Sequence, residues 1–358
     1  MAEDRTDGPD NEEQYKTTVK RKGEHIRICL QEQVQSVGVD TGFGRYRFRH
    51  AALPEISFQE IDTAASFLGK SLRAPLLVSS MTGGTGEASA INRRLAEAAE
   101  ARGWAMGLGS MRAAIENERL ADTFDVRREA PTIPLIANLG AVQLNYGYGV
   151  DECRRTVELA GADGLVLHLN SLQEVFQPEG NTDFRGLLAR IGEVCRYAGV
   201  PVGIKEVGWG IDAGAAAALA AVGVAFIDVA GAGGTSWSQV EKYRSSDPLR
   251  EKAAEAFADW GIPTAECVRD VRAALPEACI IASGGMCSGA DAAKALALGA
   301  DLAGYGRMLL SGAAKRDDYT SGLHAQMEQI EFELRTAMFG IGVRTIGELR
   351  ATDRLTER

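Results

Sequence analysis

Eight short apolar runs, at 75–80, 104–109, 134–138, 164–169, 201–206, 225–230, 279–284 and 301–306, punctuate this 358-residue chain, with Ala-rich helix-forming stretches such as 91–102 and 290–298 between them. Runs without polar alternation suit parallel strands buried on both faces. Eight of them alternating with helices favour a closed barrel over an open doubly wound sheet. The expected fold is α/β: a single (β/α)8 TIM barrel with an N-terminal extension and C-terminal helices. Residues 1–19 read as a disordered acidic tail and 20–358 as one barrel domain. Within it, 20–27 is a basic segment, 45–54 a polar lead-in and 215–227 a helix end feeding a strand. An amphipathic stretch, 323–338, is expected to cover the barrel's outside.

Charge narrows the ligands. Lys plus Arg total 39 against 49 Asp plus Glu, a net charge of −10, so a nucleic acid is an unlikely partner, while small anions can still be held by local Arg and Lys residues. The polar N-terminus lacks a signal-peptide pattern, and no apolar run reaches the roughly 20 residues of a membrane span; the expected location is the cytoplasm. The six cysteines form no C-x-x-C pair and read as reduced structural thiols.

Chemistry-bearing residues gather at the C-terminal ends of the runs, where barrels build active sites. Glycine turns follow the last two runs, ASGG (282–285) and GYGR (304–307), as phosphate-receiving backbone or simply as tight turns. The GAGG stretch at 231–234 lacks the spacing of a dinucleotide fingerprint and reads as a ligand-lining loop, with Thr235 and Ser236 as hydroxyl donors. The fourth run ends in HLNSLQE (168–174), and alternation puts His168 and Asn170 on one face. Taken singly, His168 also reads as a hydrogen-bonded core histidine and Glu174 as a charge at a helix start. Lys205 needs an anion: a reduced flavin is one, and a structural pair with Glu206 is the other reading. The basic group Arg21, Lys22 and His25 is either a solvated face or a lid closing over a diphosphate.

From 21 to about 350 the sequence resembles the type 2 isopentenyl-diphosphate isomerases. The motifs are RKGEH (21–25), HAALPE (50–55), SSMTGG (79–84), GSMR (109–112), NLGAVQL (138–144), LHLNSLQE (167–174), QPEG (177–180), KEVGWG (205–210), GAGGTSW (231–237) and ASGG (282–285). The resemblance implies interconversion of isopentenyl and dimethylallyl diphosphate by 1,3-allylic proton transfer on reduced FMN, with NADPH or NADH as reductant and Mg²⁺. It assigns FMN to Met81, Thr82, Gly83, Ser110, Asn138, Lys205, Thr235, Ser236, Gly284, Gly285, Gly304 and Tyr305. Substrate falls to Arg21, Lys22, His25, Ser110, Arg112, His168, Asn170 and Gln173, with Gln173, Lys205 and His168 as the catalytic set and Glu174 as the metal ligand. It also implies a homo-oligomer, a tetramer or larger. Two positions depart from related flavin barrels: Cys287 stands where arginine is common, and Gly306-Arg307-Met308 where Ala-Arg-Pro is.

Two rivals remain. An FMN-dependent α-hydroxy-acid oxidase needs a histidine base between the sixth and seventh strands, and this chain has only His25, His50, His168 and His324. A flavin-binding relic without chemistry would have little need of Glu174.

Overall fold

The computed structural model describes residues 9–315 and 319–358. Eight parallel strands close into a barrel: β1 (Leu76–Val78), β2 (Ala105–Gly107), β3 (Leu135–Gly140), β4 (Gly164–His168), β5 (Val202–Lys205), β6 (Phe226–Asp228), β7 (Cys279–Ala282) and β8 (Leu302–Tyr305), with β8 pairing back onto β1. Each falls on one of the eight apolar runs. The helices include α1 (Pro9–Gln31), α2 (Ser171–Phe176), α3 (Trp237–Arg244), α4 (Arg307–Ala314) and α5 (Tyr319–Ile341). The expected outer helix is α5, whose Leu323, Met327, Ile330, Leu334 and Met338 are fully buried at helical spacing. The run at 215–227 divides into helix Ala213–Ala221 and β6, as its composition predicts. Among the described residues no helix is long and apolar enough to cross a membrane.

Inside the barrel, strand alternation builds two layers. The lower layer is apolar: Leu77, Ala105, Ile136, Val166, Phe226, Ile281 and Leu302 form one cluster. A hairpin of two short strands, Ala65–Phe67 and Lys70–Leu72, plugs this end with Phe67 and Leu72. The Phe67 ring meets Phe226 edge to face at 5.3 Å, and Gly203 makes room, since a Cβ there would sit 2.1 Å from the Phe226 ring. Two residues further along, the same strands carry Ser79, Gly107, Asn138, His168, Lys205, Asp228, Ser283 and Gly304. Every inward position of the upper layer is thus polar or glycine, which a barrel serving packing alone has no reason to keep.

The N-terminal segment differs from expectation. Residues 1–8 lie outside the described residues, but 9–19 are the first turns of α1 rather than a disordered tail. The helix opens on Pro9, a residue type favoured at a helix start. Further along, Ile26 and Ile28 are buried, and Ile28 packs with Val34 and Val240 of α3.

Candidate functional site

A cavity of about 540 Å3 opens at the C-terminal end of the barrel. It is lined by Arg21, Lys22 and His25 of α1, by strand-end residues Ser79, Asn138, His168 and Lys205, and by the glycine loops at 231–234 and 284–285. The basic segment is therefore not a solvated outer face: α1 lies across the barrel mouth and turns Arg21, Lys22 and His25 into the cavity.

His168 is oriented from below. The Asn138 amide donates to the Leu108 carbonyl at 3.0 Å, so its oxygen is free to accept from His168 Nδ1 at 2.8 Å, leaving Nε2 without the proton. Burial, then the charges of Lys22 and Lys205, push the His168 pKa down to about 3, so the ring is neutral. Lys205 donates to Asp228 Oδ2 at 2.9 Å and to Ser283 Oγ at 3.2 Å, and Ser283 donates to Asp228 Oδ1 at 2.5 Å. The alternative reading, a pair between Lys205 and Glu206, does not form: neighbours along a strand face opposite ways. The Glu206 carboxylate instead accepts from the backbone N–H groups of Val207, Gly208 and Trp209 at 2.6, 2.8 and 2.6 Å. Its pKa is raised to about 7 by burial, against those three donors.

The α2 region forms a second shelf. Asn170 donates to Glu174 Oε1 at 2.7 Å, and the Asn181 N–H donates to Glu174 Oε2 at 2.5 Å. Gln173 accepts from Asn170 at 3.3 Å and donates to Glu241 Oε1 at 3.0 Å, which fixes its amide. Burial would raise the Glu241 carboxyl, but the hydrogen bond and charge of His25, then Arg244, outweigh it and hold the pKa at about 2. Opposite, Arg112 donates to Glu116 at 2.5 Å and to Asn181 Oδ1 at 3.1 Å. Lys22 has no hydrogen bond or ion pair among the described residues; burial, then the charges of Arg21 and Arg112, lower its pKa to about 7.

All eight expected substrate residues, Glu174, and Met81, Thr82, Thr235, Gly284 and Gly285 line this one cavity. Four expected residues, Gly83, Ser236, Gly304 and Tyr305, do not line it. Gly83 is filled over by Phe124, whose ring lies 1.8 Å from where a Cβ would stand. Ser236 is bonded to Ser238 at 2.9 Å, and Gly304 is wedged between Ser79 and Ser283. Tyr305 faces away from Gly304, onto Trp104, and its hydroxyl donates to the Ser288 carbonyl at 2.8 Å. Gly306 and Arg307 line the cavity in its place.

Sequence reasoning missed Ser79, Asp228 and Ser283, although the two-residue step from the apolar layer marks all three. It also missed Glu241 and Arg244, which reach the site only through the docking of α3.

The model of the FMN-dependent dehydrogenase family matches residues 170–356. An isopentenyl-diphosphate delta-isomerase of Oceanobacillus iheyensis is 53% identical over 94% of this chain and 96% of its own length. Its counterpart in Nostoc is 50% identical over 93% and 94%. The chain belongs to the FMN-dependent, type 2 isopentenyl-diphosphate delta-isomerase family. Among solved structures, a lactate oxidase of Pediococcus acidilactici superposes with a TM-score of 0.65 at 18% identity, covering 99% of this chain and 96% of that one. An (S)-mandelate dehydrogenase does so with a TM-score of 0.65 at 18% identity over 97% and 99%. Those two share the barrel; the hydroxy-acid reading lapses on the absent histidine base and the far nearer isomerase relatives.

The isomerase family's flavin meets a suitable cradle in this chain. Gly284 has φ +104°, and a Cβ on it would lie 2.2 Å from the Gly231 carbonyl oxygen; one on Gly234 would lie 2.5 Å from the Gly285 nitrogen. The two loops press backbone to backbone, which only glycine allows. The buried Ser79 Oγ has no partner, as a group awaiting a ligand would. For a metal, no group of three or more His, Cys, Asp or Glu side chains gathers among the described residues. Glu174 and the unpartnered Asn170 Oδ1 nevertheless suit Mg²⁺, which takes one or two carboxylates and completes its shell with phosphate oxygens and water.

Proposed function

We propose that this chain interconverts isopentenyl diphosphate and dimethylallyl diphosphate, with reduced FMN and Mg²⁺ as cofactors and NADPH or NADH supplying electrons once rather than per turnover. The observation that carries this reading is a single cavity that joins a glycine-built flavin cradle to an unpaired lysine, two arginines and an isolated carboxylate. Reduced FMN, when bound, supplies the proton exchange for an alkene that no side chain of the site is acidic enough to protonate.

The protein's own part is binding, orientation and charge. Met81, Thr82, Ser110, Asn138, Thr235, Gly284 and Gly285 would hold the flavin, and Lys205, oriented by Asp228, would neutralise its reduced ring. Arg21, Lys22 and Arg112 would bind the diphosphate, with Asn170 beside them and Glu174 reaching it through Mg²⁺. His168 offers the bare Nε2 of a neutral ring; an arriving anion offsets the lysine charges and draws its pKa back up. Gln173, its amide pinned between Asn170 and Glu241, would orient the isoprene carbons, while α1 excludes water. We further propose a cytoplasmic homo-oligomer, for which the exposed Leu249, Trp260 and Phe332 supply apolar surface.

Incubation from either side tests the reaction: both diphosphates should relax to the same mixture, and a product other than the allylic isomer would reject it. Two variants follow from the geometry. Gly284→Ala must force a Cβ against the Gly231 carbonyl at a left-handed φ, a strain of about 1–3 kcal/mol, so FMN affinity by fluorescence titration should fall about tenfold or more. The Lys22 pKa of about 7 sets a pH dependence. A bound diphosphate favours the ammonium and raises its pKa, so KM should be flat below pH 7 and climb as pH rises above it. Lys22→Met should have a higher KM without that climb.

A further inference from the structure

We propose that Arg244 is a positioning residue that sets the α1 lid and, through it, three of the groups that meet the substrate. This rests on the reading of the cavity as a diphosphate site. Neither Arg244 nor Glu241 borders the cavity. The Arg244 side chain is only 8% exposed, yet its guanidinium reaches three carboxylates on three segments of the chain. Nε pairs with Glu24 of α1 at 3.3 Å, NH2 with Glu179 at 3.1 Å, and NH1 with Glu241 of its own helix.

Two of those carboxylates hold residues of the site. Glu241, fully buried, takes Gln173 Nε2 at 3.0 Å and His25 Nε2 at 3.0 Å on the same oxygen. Glu179 lies 3.6 Å from Arg21. One guanidinium therefore fixes Arg21, His25 and Gln173 at second hand. The three carboxylates are met by three different nitrogens of the planar arginine fork, a spread that the single nitrogen of a lysine ammonium does not reproduce. Without Arg244, Glu24, Glu179 and Glu241 lose the cation they share, and repulsion acts directly on the α1 joint. The helix would stay attached, because Ile28, Val34 and Val240 form an apolar seam and His25 meets Trp237 edge to face at 5.2 Å. The closed position, not the fold, is what Arg244 decides.

The test compares Arg244→Gln and Arg244→Lys with the natural chain, full length and FMN-bound. Four quantities are read: FMN affinity, affinity for inorganic pyrophosphate by calorimetry, amide hydrogen exchange over 20–31, and KM against kcat. If the glutamine variant leaves the lid closed only about a tenth of the time, pyrophosphate affinity falls about tenfold and KM rises in step. Exchange over 20–31 should quicken while the barrel strands and FMN affinity stay as they were, and lysine should restore part of the loss. Unchanged pyrophosphate affinity and exchange would overturn the proposal, as would an equal loss of FMN, which marks a general structural role. Should the natural chain bind pyrophosphate but fail to turn over isopentenyl diphosphate, the proposed function falls while the exchange and pyrophosphate results still decide the role of Arg244.

Discussion

Replacing Lys205 with methionine is expected to lower kcat by about 10²–10³-fold, the range seen when one fixed charge-stabilising donor is removed from a reacting centre. The same change should also destabilise the protein, and the structure says why the two losses are separable. Among the described residues Lys205 is the sole cation bonded to Asp228, a side chain 3% exposed whose other partner is the Ser283 hydroxyl. Stranding that carboxylate costs about 3–5 kcal/mol. The double variant Lys205→Met with Asp228→Asn removes the stranded charge, so thermal stability should return while kcat stays low. Recovery of turnover along with stability would mean that Lys205 serves only the fold.

Glu174→Gln is the second large effect. The side chain is the only carboxylate among the cavity-lining residues and is held by Asn170 at 2.7 Å and the Asn181 N–H at 2.5 Å. Glutamine keeps one acceptor for Asn181, and Asn170 can turn its amide to accept from the new NH2, so shape is preserved and charge is lost. If Mg²⁺ bridges this carboxylate to the diphosphate, its loss removes about 3 kcal/mol of charge stabilisation, or about a hundredfold in rate. The Mg²⁺ activation curve should flatten with it. A variant that remains fully Mg²⁺-dependent would remove Glu174 from the metal site.

The legible parts of the sequence share a physical cause. The barrel was readable because strands buried on both faces leave uninterrupted apolar runs, and the motif at 168–174 because polar groups there have no packing use. Strand parity explains where Tyr305 and Glu206 stand. Tyr305 follows the inward Gly304 and so faces out to Trp104, and Glu206 follows the inward Lys205 and so cannot pair with it. The same parity would have pointed to Asp228 and Ser283. Glu241 and Arg244 had no such signal: they belong to a helix whose contact with α1 is made only in three dimensions. The helical turns at 9–19 were hidden for a related reason, since their acidic, polar composition resembles that of a solvated tail.

The most direct measurement is anaerobic turnover of isopentenyl diphosphate by the purified protein with FMN, NADPH and Mg²⁺, each omitted in turn, while NADPH consumption is followed. Dimethylallyl diphosphate is expected only when flavin is reduced and Mg²⁺ is present, with NADPH consumed once per flavin rather than once per product. No product from a protein whose flavin is bound and reduced, or NADPH consumed in step with product, would contradict it.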